Sequence, residues 1–136
     1  LDKEVKFWNT TSHPYDFIRS ADVLVLPSII EGLPGVLLEA MSQRVPVVAY
    51  NVGGVAEIVT SETGWLIPSG DELDFAKAII EVINEPDLRK VENAYKMVQK
   101  DYLNRILAEN FVSEYSSLCG KKPAKTEVSQ TFVNSP

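Results

Sequence analysis

Short apolar runs alternate with stretches of helical period along the first 84 residues. Val5–Trp8 reads as a strand, and Pro14–Ser20 as a short helix opened by proline. Asp22–Leu26 (D-V-L-V-L) is apolar almost throughout and stops at Pro27, which marks a second strand. Pro34–Gln43 is helical and mostly apolar. Pro46–Tyr50 (P-V-V-A-Y) is another strand of the buried type, followed by a Gly-Gly turn and a short helix, Gly54–Val59. Gly64–Ile67 is a fourth strand, ending at Pro68. Asp71–Asn84 carries apolar residues at 73, 75, 76, 79, 80, 82 and 83, a helical stripe that Pro86 stops. Strands that are apolar throughout, separated by helices, predict a parallel sheet covered on both faces; a sheet with one wet face would alternate. The fold class is α/β, with four βα units in the first 84 residues.

Asp87–Gly120 predicts two further helices, with Val91, Ala94, Tyr95 and Val98 at helical spacing. From Lys121 the composition turns to Lys, Pro, Thr, Ser and Asn, and residues 121–136 are expected to be a disordered tail. The expected organisation is one lobe over residues 1–120, then that tail.

Composition narrows the function. Of 136 residues, 45% are hydrophobic and 24% charged, a globular balance. Thirteen Lys and Arg against 19 Asp and Glu give a net charge of −6. That argues against a nucleic-acid partner, which needs clustered cations to neutralise phosphate. No apolar run approaches the roughly 20 residues of a membrane span. A single cysteine, Cys119, allows no internal disulfide or multi-cysteine zinc site, and His13 is the one histidine. A cytoplasmic location, up to the inner membrane face, is the expectation. The chain begins at Leu1 with nothing resembling a signal peptide before Val5, and is expected to be a fragment of a longer protein.

Ligands of an open parallel sheet bind beyond the carboxyl ends of its strands. Two loops belong there: Pro27–Leu33 (P-S-I-I-E-G-L) and Asn51–Gly54 (N-V-G-G). The helix from Pro34 follows the first. Proline suits the first helical position, where its missing N–H would be unpaired anyway. Free amides at such a helix start, here Gly35, Val36 and Leu33, attract anions. Glu31 and Glu39 bracket this turn. Glu39 stands five residues past Pro34, a rise of roughly 7–8 Å. That is about the step from a diphosphate to the ribose of the same nucleotide, whose hydroxyls suit a carboxylate. Taken singly, each residue has a plainer reading. Glu39 could be an exposed or paired helix residue, Glu31 a plain loop residue, Gly53–Gly54 a turn, His13 structural and Cys119 inert. Twelve glutamates give about one such pair by chance.

The string of motifs is more specific. A-D-V-L-V-L-P-S at Ala21–Ser28, E-G-L-P-G-V-L-L-E-A-M at Glu31–Met41, P-V-V-A-Y at Pro46–Tyr50, V-G-G-V-A-E at Val52–Glu57 and T-G-W-L-I-P at Thr63–Pro68 follow in order. Together they resemble the donor-binding lobe of family 4 retaining glycosyltransferases of GT-B architecture (glycosyl transferases group 1), over about residues 5–85. The resemblance implies a Rossmann-like parallel sheet flanked by helices. It implies that Glu31 contacts the donor sugar and Glu39 the ribose, with seven residues between them as in that family. It further implies donor contacts from Gly32, Leu33, Pro34, Gly35, Val36, Gly53 and Gly54, with Asn9, Thr10 and Thr11 beside the base. Many members have glycine where Pro34 stands, which shifts the phosphate amides toward Gly35 and Val36. The family's helix usually ends at glycine, where this chain has Arg44. A left-handed residue is often needed there.

The function this resemblance implies is transfer of a sugar from a nucleoside-diphosphate sugar to a hydroxyl acceptor, with retention. Glu31 is the candidate catalytic residue. No D-x-D motif is present and no metal or cofactor is expected; the nucleotide sugar is a co-substrate. An Arg/Lys clamp on the diphosphate and an amino-terminal lobe for a glycan, lipid-linked or other acceptor lie outside the chain, so the isolated chain is expected to be inactive. A nucleotide-sugar epimerase of the same architecture and a non-catalytic binding or scaffold module are the alternatives.

Overall fold

The computed structural model describes residues 4–120, so the expected tail at 121–136 lies outside the described residues. The chain divides into two units between Tyr102 and Leu103.

In the first unit, helix α1 (Pro14–Arg19) leads to strand β1 (Leu24–Leu26). Helix α2 (Gly35–Ser42), strand β2 (Val47–Asn51), helix α3 (Val55–Ile58), strand β3 (Trp65–Pro68) and helix α4 (Glu72–Asn84) follow. Helix α5 (Leu88–Met97) runs on into a π-helical turn, Val98–Tyr102. The sheet is parallel with order β1-β2-β3, pairing Leu24 with Val47 and Val48 with Trp65.

The central strand explains the architecture. Val47, Val48, Ala49 and Tyr50 are all buried. Successive side chains of a strand point to opposite faces. Accordingly Val47 and Ala49 join one core, with Leu37, Ala40 and Met41 of α2, Val55 and Ile58 of α3, and Ala94 of α5. Val48 and Tyr50 join the other, with Trp65 of β3 and Phe75, Ala78 and Val82 of α4. Both faces are dry, so β2 tolerates no polar position until Asn51 at its carboxyl end. Burying each large aliphatic side chain contributes about 1.5–3 kcal/mol.

Three expectations are corrected. Val5–Trp8 is not a strand, so the sheet has three strands among the described residues instead of four. A strand takes its backbone hydrogen bonds from a neighbour, and none is paired there; Phe7 is 94% exposed, while Trp8 packs on Phe17 with ring centroids 4.7 Å apart. The α4 stripe splits: Phe75 and Val82 are buried, but Leu73, Ile80 and Ile83 face outward. Pro34 is the N-cap of α2, with φ −76° and ψ 107°, and the helix proper starts one residue later.

The far end of α2 answers the question raised by Arg44. Its φ is +59°, the left-handed region. Arg44 N–H donates to Met41 C=O at 3.1 Å and Val45 N–H to Ala40 C=O at 3.0 Å, the Schellman closure usually given to glycine. Arginine holds this conformation with its side chain tied down. Nε bonds Glu92 at 3.0 Å, and the guanidinium lies 3.5 Å from the centroid of Tyr95. The hydrogen bond to Glu92, helped by the charges of Glu92 and Tyr95, outweighs the lowering by burial and raises the Arg44 pKa above its ordinary value.

The second unit holds helix α6 (Asn104–Leu118). Arg105 and Glu109 pair at 3.0 Å one turn apart, and Phe111 stacks on Tyr115.

Candidate functional site at the carboxyl edge of the sheet

Because β1 and β2 are parallel, the loops that leave them emerge on one edge. The β1 loop carries Pro27–Pro34 into α2; the β2 loop carries Val52–Gly54 into α3. They touch. Gly54 N–H donates to Gly32 C=O at 2.9 Å. A Cβ on Gly53 would stand 1.8 Å from the Glu31 carbonyl oxygen, and one on Gly54 would stand 2.7 Å from that of Gly32. Gly53 also has φ +50°. Only glycines allow the two backbones to lie this close.

The start of α2 is bare. The first amides of a helix have no partner within it. Leu37 N–H reaches Pro34 C=O at 3.2 Å, but no side chain among the described residues caps the helix, and its first turn holds no acid. The other long helices of this unit are closed by their own carboxylates. Asp71 accepts from Asp74 N–H at 3.0 Å above α4, and Asp87 from Arg89 N–H at 2.9 Å above α5. With Gly32 and Gly35 exposed, and open space where a Gly35 Cβ would go, the α2 start is accessible to an anion.

Glu31 is half-buried in the loop before this start, and Glu39 is half-buried on the helix itself. Neither carboxylate has a hydrogen-bond or ion-pair partner among the described residues. The structure thus brings Glu31, Gly32, Gly53 and Gly54 together and places Leu33, Pro34, Gly35, Val36 and Glu39 in continuous chain beside them. Asn9, Thr10 and Thr11 stand on an exposed segment, where the Thr11 hydroxyl accepts from His13 N–H at 3.2 Å. No described hydrogen bond ties them to the α2 start. Among the described residues, no three His, Cys, Asp or Glu gather closely enough to hold a metal ion.

One feature escaped the sequence reading. Ile29 and Ile30 are 74% and 85% exposed on the β1 loop, with Leu33 half-exposed after them. Consecutive isoleucines outside any periodic segment were the available signal.

Residues 1–85 match the family described as glycosyl transferases group 1. The capsular polysaccharide biosynthesis glycosyltransferase CapM of Staphylococcus aureus is 32% identical over 117 residues, covering 84% of this chain and 31% of that protein. The D-inositol 3-phosphate glycosyltransferase of Saccharomonospora viridis is 42% identical over 74 residues, 54% of this chain and 17% of that protein. Among solved structures, the sucrose-phosphate synthase of Thermosynechococcus elongatus superposes with a TM-score of 0.78 at 29% identity, covering 87% of this chain and 31% of that one. A point mutant of S. aureus TarM, in complex with fondaparinux, alpha-GlcNAc-glycerol and UDP, superposes with a TM-score of 0.62 at 25% identity, covering 74% and 22%. The chain spans about a third or less of the length of each.

Proposed function

Because the chain belongs to the glycosyl transferases group 1 family, we propose that it supplies the donor-binding part of a retaining glycosyltransferase. The complete protein moves a sugar from a nucleoside diphosphate to a hydroxyl acceptor. Its acceptor is a growing glycan or glycoconjugate, in keeping with relatives such as CapM. The observation that carries this reading is the uncapped start of α2 between two carboxylates that have no partner among the described residues. In this reading the amides of Gly35 and Val36 receive the diphosphate, since free N–H groups and the helix dipole favour negative charge. Glu39 accepts from the ribose hydroxyls and Glu31 from the sugar. The bond from the anomeric carbon to the phosphate oxygen breaks, and its electron pair leaves with the diphosphate. The acceptor oxygen bonds to that carbon on the same face, and its proton passes to the departing phosphate. Such a step needs orientation and leaving-group stabilisation more than a covalent nucleophile.

The test uses the complete protein and a panel of UDP-glucose, UDP-N-acetylglucosamine and GDP-mannose. UDP comes first because the TarM structure holds it. Glu31→Ala is expected to lower kcat by about 10²-fold, on the scale of losing a positioned electrostatic group. Its affinity for free UDP should change by less than roughly threefold. Glu39→Gln is expected to weaken UDP binding by about 1–3 kcal/mol. Equal losses of turnover and affinity in Glu31→Ala would place Glu31 on the nucleotide. No loss in either variant would void the site.

A further inference from the structure

The β1 loop is fastened by very little. Outside the strand ladders, the bond from Gly54 N–H to Gly32 C=O is the one backbone hydrogen bond that reaches Pro27–Leu33 among the described residues. No side-chain hydrogen bond between described residues reaches that segment either. Ile29, Ile30 and Leu33 are turned outward and give the loop little packing. Yet its backbone between Glu31 and Gly32 is closely bounded. The Glu31 carbonyl oxygen stands 1.8 Å from where a Gly53 side chain would begin, and the Gly32 carbonyl oxygen stands 2.7 Å from the equivalent point on Gly54.

Peptide planarity turns these contacts into orientation. The Glu31 carbonyl and the Gly32 nitrogen lie in one rigid plane. Setting that carbonyl and the next one fixes the plane and the place of the Glu31 Cα within it, which narrows the directions left to its side chain. Glycine at 32 would otherwise leave the turn free.

We propose that Gly53 and Gly54 are positioning residues that set the Glu31–Gly32 peptide from below and thereby aim the Glu31 carboxylate. The assignment rests on the donor-site reading of Glu31. It gives Gly54 N–H a protein partner instead of a donor phosphate. Gly53 serves by its missing side chain and its left-handed backbone.

The experiment uses the complete protein, with turnover of the fastest donor in the panel above and binding of UDP. Gly54→Ala is expected to cut turnover about tenfold or more, while UDP affinity stays within about threefold. Gly70→Ala is the control: Gly70 has φ +84° but open space around a Cβ, so it carries backbone strain without the contact. Its turnover should stay within about twofold of wild type. In a Glu31→Ala background, Gly54→Ala should cost less than about twofold more, because residues acting through one another do not add. Multiplicative losses would overturn the proposal. A second measurement needs no variant. The Gly54 amide should be protected from hydrogen exchange without ligand, and its protection should change by less than about twofold when UDP is added. Protection that arises only with UDP would put this amide on the phosphate and overturn the proposal. If Glu31→Ala keeps wild-type turnover, the donor reading fails by itself, and the amide protection then decides whether Gly54 holds the loop.

Discussion

α2 leaves β1 under Pro34 with no acid in its first turn and no side chain on its amides, whereas α4 leaves β3 under Asp71 with Glu72 and Asp74 in its first turn. Both helices begin on the same edge of a parallel sheet. Both dipoles present positive charge there. Around α4 the protein has answered that charge with its own carboxylates. Around α2 it has left the charge unanswered and removed side-chain bulk with Gly32 and Gly35. An uncapped start forgoes stability that an aspartate would give, typically about 1 kcal/mol. The contrast marks α2 as the one of these two starts whose amides no described side chain caps.

The contrast can be broken most strongly by giving α2 what α4 has. A Gly35→Asp side chain meets open space and sets a carboxylate in the first turn. UDP affinity of the complete protein is expected to fall at least tenfold, about 1.4 kcal/mol, while the melting temperature holds or rises. Calorimetry and a thermal melt check both; undiminished UDP binding would mean that the anion goes elsewhere. Taking from α4 what α2 lacks is the converse. Asp71→Ala is expected to cost about 1 kcal/mol of stability, read as roughly 4–8 °C in the melting temperature of this unit. UDP affinity should not move. The smallest effect belongs to the other end of α2. Arg44→Ala keeps a left-handed non-glycine and loses Glu92 and Tyr95; Arg44→Gly loses the same contacts but relieves the backbone. The alanine variant should melt a few degrees below the glycine variant, and equal melting would show that the turn is unstrained.

How much of this was legible from residues alone varies with the range of the interaction. The three strands declared themselves as short apolar runs, although only β2 buries both faces; Val25 at the centre of β1 is 41% exposed. Val5–Trp8 is apolar but for Lys6, yet pairing is decided by a partner elsewhere in space, and it has none among the described residues. In α4 the 3.6-residue period marked a helix without saying which of two apolar stripes meets the sheet. The Glu31–Glu39 bracket was visible as spacing on one helix start. The closeness of Gly53–Gly54 to Glu31–Gly32 was not, since two segments joined only through the sheet show no common pattern in sequence. Arg44 was flagged by type, but the clasp that lets arginine replace glycine depends on α5.

The bond between Gly54 and Gly32 also bears on how the edge comes into being. Leu24 meets Val47, and Gly32 meets Gly54, only after the chain has passed through the whole of α2. Closing such a loop loses entropy before any contact is gained, so parallel pairings form slowly and late. A peptide spanning Glu31–Met41 could therefore form its helix without forming the site. The loop acquires its shape when β2 docks beside β1, which makes assembly of this edge a report on those two strands having paired.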